Sequence, residues 1–307
     1  MRITSLIILL VNFILLQSFV SAWGYKGHRM INEKAAILLD CELGFFVNKH
    51  KNALKWYGAV PDYIKTFHPE EKPLHFFDAD YYDEYPFKNI PMNFERFKEK
   101  YGSENLTKMG TAPWAIQRSC NEIIYCLKNA RFDEAIFHMG VLAHYVADIH
   151  NPLHTILNYD GQLTGNKGVH FRWEVRLFNE YVESITPIGE IKKIDSPVGY
   201  AMDIVRESYK DHKRILDGDT KARKVLTHEQ QKKLSSYDVL NFENEYLEIL
   251  NFETIDLFHE RLGKSVVRIA AYWQYCWDMA GKPNLNENKK QFKIFCCFFT
   301  FKYDSYS

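Results

Sequence analysis

Residues 142–154 of this chain read LAHYVADIHNPLH, and His170 and Glu174 follow them, four residues apart. His144 and Asp148 within the quoted stretch have the same four-residue spacing. Five of the chain's twelve histidines lie in or next to this region. The clustering, more than any single pair, indicates either a metal site or a set of core histidines bonded to carboxylates.

The first pair is predicted to lie on one helix. A helix over residues 133–149 places His144 and Asp148 one turn apart on the same face, with about 6 Å between their β-carbons. Pro152 should follow the end of this helix, because proline lacks the amide hydrogen and restricts the residue before it. His154 then lies just past the break, close to the first pair.

A second helix is predicted to carry His170 and Glu174 in the same arrangement. Imidazole nitrogens and carboxylate oxygens, with no cysteine nearby, favour zinc held for catalysis over a thiolate-rich structural site. On these pairs alone, core histidines bonded to carboxylates remain the alternative.

The first 22 residues are predicted to be a cleaved signal peptide. Arg2 precedes an apolar stretch over residues 6–16, and the small residues before Trp23 suit a signal peptidase. An uncleaved membrane anchor is the alternative, although the apolar stretch is short for one. We therefore expect a secreted or periplasmic protein whose mature chain begins at Trp23.

Composition bounds the remaining possibilities. The chain has 307 residues, of which 46% are hydrophobic, and it balances 39 basic against 39 acidic residues. These values suit one large globular domain or two small ones, and no basic excess indicates a nucleic-acid scaffold. Cys120 and Cys126 would be about 9 Å apart along one helix, too far for a disulfide. A bridge between Cys41 and Cys276 stays open.

Helical periodicity runs through nearly the whole chain, whereas strand alternation is almost absent. The sequence therefore predicts an all-α fold. The helical segments are predicted at residues 28–39, 86–101, 112–129, 133–149, 170–186, 198–216, 221–250 and 253–280. The apolar tail that follows is expected to pack on the domain, with an edge strand, a partner-docking segment or a membrane-touching segment as alternatives.

Three further motifs join the histidine cluster: WGYKGH from Trp23, PDYIK at residues 61–65 and LHFFDAD at residues 74–80. With them the chain resembles the superfamily of zinc-dependent phospholipases C and single-strand-specific nucleases, which are all-helical secreted enzymes with three zinc ions. The resemblance implies a signal peptide at residues 1–22, a single compact multi-helix phosphodiesterase domain at residues 23–281 and a C-terminal tail at residues 282–307.

The same resemblance implies nine metal ligands in three groups. One zinc ion would be held by Asp62, His75, His144 and Asp148. A neighbouring ion would be held by His154, His170 and Glu174. The third ion would be held by Trp23, through its free α-amine and its carbonyl oxygen, by His28 and by the bridging carboxylate of Asp148.

Two catalytic roles follow from the resemblance. Asp62 is expected to orient the attacking water that zinc activates, or to take its proton. Lys65 is expected to add positive charge next to the transition state. Nucleases of the superfamily commonly carry arginine at the position of Lys65, and lysine makes a point contact instead of a bidentate one.

The substrate class divides the two branches of the superfamily. In a nuclease, Phe76 would stack a base of single-stranded nucleic acid while Asp78 accepts its hydrogen bonds. In a phospholipase C, Tyr63 would face a choline cation, but Lys26 would repel that cation. Phe76 and Asp78 follow His75 in both branches and so do not discriminate between them. WGYKGH and the Asp62–Lys65 segment resemble the nucleases, whereas Glu174 resembles the phospholipases, since nucleases usually have aspartate there.

We therefore predict a secreted phosphodiester hydrolase that acts on single-stranded nucleic acid or nucleotides. Phospholipase C is the first alternative, and a non-catalytic exported zinc-binding protein is the second. No stable protein partner is implied, and a monomer is expected.

Overall fold

The computed structural model describes residues 23–236 and 238–285. Every regular element within these ranges is helical, which confirms the all-α prediction. The first half of the chain forms α1 (Gly24–Ala36), α2 (Glu42–Lys49), α3 (Lys51–Tyr57), α4 (Val60–Phe67), α5 (Ala79–Tyr82), α6 (Phe94–Tyr101), α7 (Ser103–Met109), α8 (Ala112–Lys128) and α9 (Phe132–Asp148). The second half forms α10 (Val169–Phe171), α11 (Leu177–Tyr181), α12 (Pro197–Ala222), α13 (His228–Lys233) and α14 (Asn244–Met279). Short 3₁₀ helices lie at Pro69–Leu74, Pro152–Thr155 and Arg223–Val225, and a π-helical segment lies at Arg172–Arg176.

Helix α9 lies at the centre of the bundle. Its sequence is apolar on nearly every face, and such a helix is stable only when other helices surround it. Here α1, α3, α8 and α14 pack against it. The indole of Trp273 on α14 donates a hydrogen bond to the carbonyl of Met139 at 3.0 Å. The polar residues His144 and Asp148 of α9 are therefore completely buried.

The predicted break after α9 is confirmed. The helix ends at Asp148, and the side chain of Asn151 accepts a hydrogen bond from the amide of Leu153 at 3.0 Å. Pro152 then starts a 3₁₀ turn, where its missing amide hydrogen costs nothing. This turn carries His154 back toward the end of α9.

Trp23 fixes the start of α1 in the core. Its buried indole donates to the carbonyl of Ala147 at 2.7 Å, and its ring meets Phe258 of α14 edge-on at 5.1 Å. Gly27 permits this close packing, because a β-carbon there would lie 2.9 Å from that of Trp23. The WGYKGH motif thus brings His28 into the interior.

The segment that carries His170 and Glu174 differs from the predicted helix at residues 170–186. Gly168 precedes it with φ +95°, and a β-carbon there would lie 1.8 Å from the carbonyl oxygen of Leu234. The helix then widens into a π-helical segment and ends at Tyr181. Periodicity does not reveal a π turn, since its extra residue shifts the pattern only locally.

The predicted helix at residues 86–101 begins only at Phe94. The side chain of Asn93 accepts a hydrogen bond from the amide of Arg96 at 3.0 Å and so caps the helix there. Pro86 and Pro91 lie in the preceding irregular segment, where residues 83–93 contain no helix. The helices α2, α3, α4, α5 and α7 were not predicted.

The prediction of one helix at residues 221–250 is wrong. Within the described residues this region contains a 3₁₀ turn, the short helix α13 and an irregular segment before α14. The predicted break near residue 252 is also wrong, because α14 runs for 36 residues and no proline or glycine interrupts it there.

The expectation for the cysteines has a structural outcome. Cys41, Cys120, Cys126 and Cys276 are free, and Cys41 hydrogen-bonds Gln274 instead of joining Cys276. The amide of Leu285 donates to Glu42 at 2.9 Å, which holds the chain just after α14 against α2. The apolar stretch at residues 291–303, which was expected to pack on the domain, is not among the described residues. The predicted signal peptide and residues 286–307 lie outside the described residues. Within the described part of the chain, no helix has the length and apolarity needed to cross a membrane.

Candidate metal centre

Eight of the nine predicted ligands meet in one buried region as three groups. Within each group the potential ligand atoms lie within 4.8 Å of one another. The groups are His28, His144 and Asp148; Asp62, His75 and His144; and His154, His170 and Glu174. His28, Asp62 and the pair His144 and Asp148 come from α1, α4 and α9, and His75 directly follows the 3₁₀ helix at Pro69–Leu74. His154 lies within the 3₁₀ helix at Pro152–Thr155, His170 within α10 and Glu174 within the π-helical segment. Segments far apart in sequence therefore converge on one place.

Asp148 connects the first two groups. Its Oδ1 lies 3.3 Å from Nε2 of His28, and its Oδ2 lies 3.0 Å from Nδ1 of His75 and 3.2 Å from Nε2 of His144. Burial raises the pKa of Asp148, but His144 and the hydrogen bonds from the imidazoles outweigh burial and hold it well below its usual range. The carboxylate is therefore anionic and faces imidazoles on both sides.

The two stacked imidazoles of His28 and His144 share one environment. Their ring centroids are 3.8 Å apart. Burial lowers the pKa of both imidazoles. In His144 the carboxylates of Asp148 and Asp62 outweigh burial, so its pKa is raised. In His28 the neighbouring His144 lowers the pKa further. His28 is therefore a neutral imidazole, the form that binds metal ions.

Asp62 stands between the second group and Lys65. The Nζ of Lys65 lies 2.5 Å from its Oδ1, and Nε2 of His144 and Nδ1 of His75 lie 3.7 Å and 3.8 Å from the same atom. Burial raises the pKa of Asp62, but Lys65 and the imidazoles lower it below the usual value. Its second oxygen is buried and has no hydrogen-bond partner.

The third group spans the π-helical segment. Nε2 of His154 lies 3.0 Å from Nε2 of His170, and Oε2 of Glu174 lies 2.7 Å from Nε2 of His170. Burial lowers the pKa of His154, but Glu174 outweighs burial and raises it to about 9. Two imidazole nitrogens at this separation, with a carboxylate beside them, point toward one shared position.

Trp23 was predicted to join His28 and Asp148. The structure places its main-chain nitrogen against Oε1 of Glu174, and its carbonyl oxygen accepts from the amide of Gly27 at 3.1 Å. The start of α1 thus lies beside the third group, and it carries His28 into the first.

Hydrogen bonds from outside the groups orient the imidazoles. Nδ1 of His144 donates to the carbonyl of Gly58 at 2.7 Å, and Nδ1 of His154 donates to the carbonyl of His75 at 2.8 Å. In both rings Nε2 is left to face the cluster. Such contacts fix the tautomer and direction of a metal-binding histidine.

Two buried carboxylates near the groups were missed from the sequence. Oε1 of Glu71 lies 3.6 Å from Nε2 of His75 and accepts a hydrogen bond from Tyr145. Oδ1 of Asp160 accepts from the amide of His170 at 3.2 Å. Glu71 and His75 share the four-residue spacing that revealed the other pairs, so that signal was present. Asp160 acts across a loop, where no periodicity applies.

The donor atoms fit metal ions. Buried polar atoms are normally hydrogen-bonded, yet several at the centre of this cluster have no hydrogen-bond partner among the described residues. Oδ2 of Asp62 is one of them; Nε2 of His28 with Oδ1 of Asp148, at 3.3 Å, and Oε2 of Glu174 with Nε2 of His170, at 2.7 Å, are close contacts that lack hydrogen-bond geometry. Nitrogen and oxygen donors without cysteine suit a catalytic zinc site.

The family model for S1/P1 nuclease matches residues 23–272. The chain belongs to the S1/P1 nuclease family. Membership places it among enzymes that hydrolyse phosphodiester bonds and confirms the resemblance drawn from the motifs. A search of curated proteins finds no match.

In this member of the S1/P1 nuclease family, a cavity of about 380 Å³ opens beside the third group. Its lining includes Lys65, Phe76 and Asp78, all three singled out from the sequence. Burial raises the pKa of Asp78 to about 8, and its Oδ1 has no hydrogen-bond partner. The volume falls in the range of small-ligand pockets, roughly 300–1,000 Å³.

Tyr63 is not among the residues that line this cavity. Its ring, 44% exposed, stacks on Tyr25 at 4.5 Å. Lys26 donates to the carbonyl of Val182 at 3.4 Å, at the end of α11. Three other lining residues, Lys72, Lys108 and Tyr159, were missed, because they come from separate segments whose approach no local pattern predicts.

Proposed function

We propose that this protein is an exported zinc-dependent nuclease that hydrolyses phosphodiester bonds in single-stranded nucleic acid. One observation carries the proposal: a cavity lined by three lysines together with Phe76 and Asp78 adjoins the buried histidine and carboxylate groups. In this proposal residues 1–22 are the signal peptide, and the mature enzyme begins at Trp23.

Three zinc ions would be held by the nine residues predicted from the sequence. The two groups that contain His144 would hold neighbouring ions with Asp148 between them, and the group with Glu174 would hold the other. When bound, zinc supplies Lewis acidity and lowers the pKa of water. Because each ligand binds in its deprotonated form, metal binding would also stabilise the fold.

Asp62 and Lys65 would act directly on the reacting groups. The carboxylate of Asp62 is anionic at neutral pH and has one oxygen without a partner, so it accepts a hydrogen bond or a proton from the attacking water. An ammonium group has three donors, and Asp62 takes one of those of Lys65. The other donors and the charge of Lys65 remain for the phosphate.

Phe76 and Asp78 would bind the base. A ring stacked on Phe76 must have left its own stack, which is easy in a single strand and costly in a duplex. With a pKa of about 8, the carboxyl of Asp78 is largely protonated near neutral pH and both donates and accepts hydrogen bonds. Base edges carry donors and acceptors side by side, so this carboxyl suits them.

The phospholipase C alternative fits the cavity less well. Lys65, Lys72 and Lys108 all line it, and three cations repel the choline head group. Tyr63, the residue that would face choline, lies outside the lining. Phosphate-rich single strands match the same positive charge.

The test compares four substrates in one buffer: bis(p-nitrophenyl) phosphate, single-stranded DNA, RNA and phosphatidylcholine. We expect the zinc-loaded protein to hydrolyse the first three, and removal of zinc with EDTA to abolish this activity. Faster cleavage of phosphatidylcholine than of either nucleic acid would overturn the substrate assignment. Hydrolysis of none of them by zinc-loaded protein would favour the non-catalytic zinc-binding alternative.

The base contact is tested separately with Phe76→Ala. We expect a KM for a single-stranded oligonucleotide raised roughly tenfold, since stacking on an aromatic ring contributes about 1–3 kcal/mol per base. Phe252→Ala is the matched control, because Phe252 is 82% exposed on α14 and lies outside the cavity. An equal KM for the two variants would remove Phe76 from the binding site.

A further inference from the structure

Two cations in the cavity have no part in the chemistry described so far. Lys72 and Lys108 line the same cavity as Phe76 and Asp78. Lys65 is held by Asp62, whereas both of these other lysines are exposed side chains that reach the cavity from its rim.

Main-chain hydrogen bonds place both lysines beside the base-binding segment. The amide of Thr111 donates to the carbonyl of Pro73 at 2.6 Å, and the amide of Asp78 donates to the carbonyl of Met109 at 2.9 Å. Residues 72–78 and the end of α7 therefore run alongside each other. Lys72 and Lys108 are the neighbours of these bonded residues, so they flank the part of the cavity that Phe76 and Asp78 line.

The acidic neighbours leave this charge available. Oε1 of Glu104 lies 2.7 Å from Nζ of Lys108, but the two side chains are 80% and 59% exposed, and such surface pairs contribute little. Glu71, next to Lys72 in the chain, is buried and accepts from Tyr145.

A nucleoside within a strand carries a phosphate on each side. If one phosphate lies at the metal groups, the other phosphate of the same nucleotide must lie at the edge of the cavity, where the strand continues into solvent. We propose that Lys72 and Lys108 bind this second, non-scissile phosphate of the nucleotide whose base contacts Phe76. The inference rests on the proposed function and narrows its substrate: chains and ends that carry this phosphate are preferred to those that lack it.

The test uses two dinucleotides with the same scissile bond, one with a 5′-terminal phosphate and one with a 5′-hydroxyl. The measured quantity is the ratio of their kcat/KM values. For the wild type we expect a ratio of roughly ten in favour of the phosphorylated substrate, as two partly exposed charge contacts allow. In the double variant Lys72→Ala/Lys108→Ala the ratio should fall to about one.

Two single variants sharpen the comparison. Lys193→Ala removes a lysine that is 89% exposed and lies outside the cavity, so it should keep the wild-type ratio. Glu104→Gln removes the acidic neighbour of Lys108 and should also keep the wild-type ratio, because that exposed pair contributes little. Because all of these side chains are exposed, unchanged melting temperatures are expected and exclude misfolding as the cause.

Salt gives an independent measure. For single strands, each phosphate contact contributes about −0.7 to the slope of log affinity against log salt. For a short 5′-phosphorylated oligonucleotide, the slope measured with the double variant should therefore be about 0.7 less steep than with the wild type. A wild-type ratio near one, or a double variant that keeps the wild-type ratio, would overturn the lysine assignment alone. Hydrolysis of neither dinucleotide would overturn the proposed function and this inference with it.

Discussion

Replacing Asp148 by asparagine tests the centre of the site most directly. The carboxylate presents Oδ1 to His28 at 3.3 Å and Oδ2 to His75 and His144 at 3.0 Å and 3.2 Å. An amide keeps only one acceptor oxygen and replaces the other by an NH₂ donor. In either orientation of the asparagine side chain, the NH₂ group, which cannot bind a metal ion, faces either His28 or the pair His75 and His144.

The expected loss of turnover follows from the number of ligand groups that the carboxylate contacts. Disturbing a residue that merely supports a metal ligand costs about 10–100-fold in affinity or activity. Asp148 faces two groups at once and also loses its charge, so we expect turnover to fall by roughly a hundredfold or more, or about 2.7 kcal/mol at 1.36 kcal/mol per factor of ten. Glu174→Asp preserves the charge and should lose less.

The assay measures kcat on bis(p-nitrophenyl) phosphate together with zinc per chain by elemental analysis. Asp203→Asn is the matched control, since this aspartate is 71% exposed and pairs with Arg206 at the surface. It should behave as wild type. If Asp148→Asn retains its zinc and stays within about tenfold of wild-type turnover, Asp148 does not bridge the two groups.

Three further outcomes are expected. Protein purified without chelator should contain three zinc ions per chain, and EDTA should lower its melting temperature; one ion or fewer, or an unchanged melt after metal removal, would contradict this. A protein that begins at Trp23 should bind about one zinc ion more than a protein with an extra glycine before Trp23, and its turnover should be much faster. The reason is that a free α-amine of pKa about 7.7–8.0 binds metal, whereas an amide does not. Equal zinc content and equal turnover would exclude the amine as a ligand. Burial raises the pKa of Glu207, but hydrogen bonds from Lys264 and Arg268 outweigh it and hold the pKa well below its usual range. A depressed pKa stabilises the fold above the unfolded value of about 4.3 and ceases to do so as the pH falls. Glu207→Gln should therefore lower the melting temperature near neutral pH, and its deficit should shrink in acid; a deficit independent of pH would show that the charge is irrelevant.

Local patterns predicted the parts of the site that lie on one helix or next to one break. The pair His144 and Asp148 and the turn at Pro152 are examples, since helical spacing and proline chemistry operate within a few residues. The convergence of Asp62 and His75 on that pair was available only through the family resemblance. Their approach depends on contacts between segments distant in sequence.

The errors have equally physical causes. The charge-rich region around α13 was read as part of one long helix, although Thr227 and Gln230 form a capping box that marks a new start. Lys72 and Lys108 were missed because exposed lysines have no distinctive pattern. Their position in the cavity follows from the Thr111–Pro73 and Asp78–Met109 main-chain hydrogen bonds, which no local sequence pattern predicts.

The packing of Trp23 also governs when the site can form as the chain is made. Its ring lies between Trp173 and Phe258, at 5.4 Å and 5.1 Å, and Phe258 belongs to α14, near the far end of the described chain. During synthesis, every predicted ligand up to Glu174 therefore leaves the ribosome before Phe258, the residue against which Trp23 packs. Contacts so distant in sequence close late and slow folding. A fragment that stops before Asn244 would carry every predicted ligand and still lack Phe258, one of the two aromatic rings that pack on Trp23.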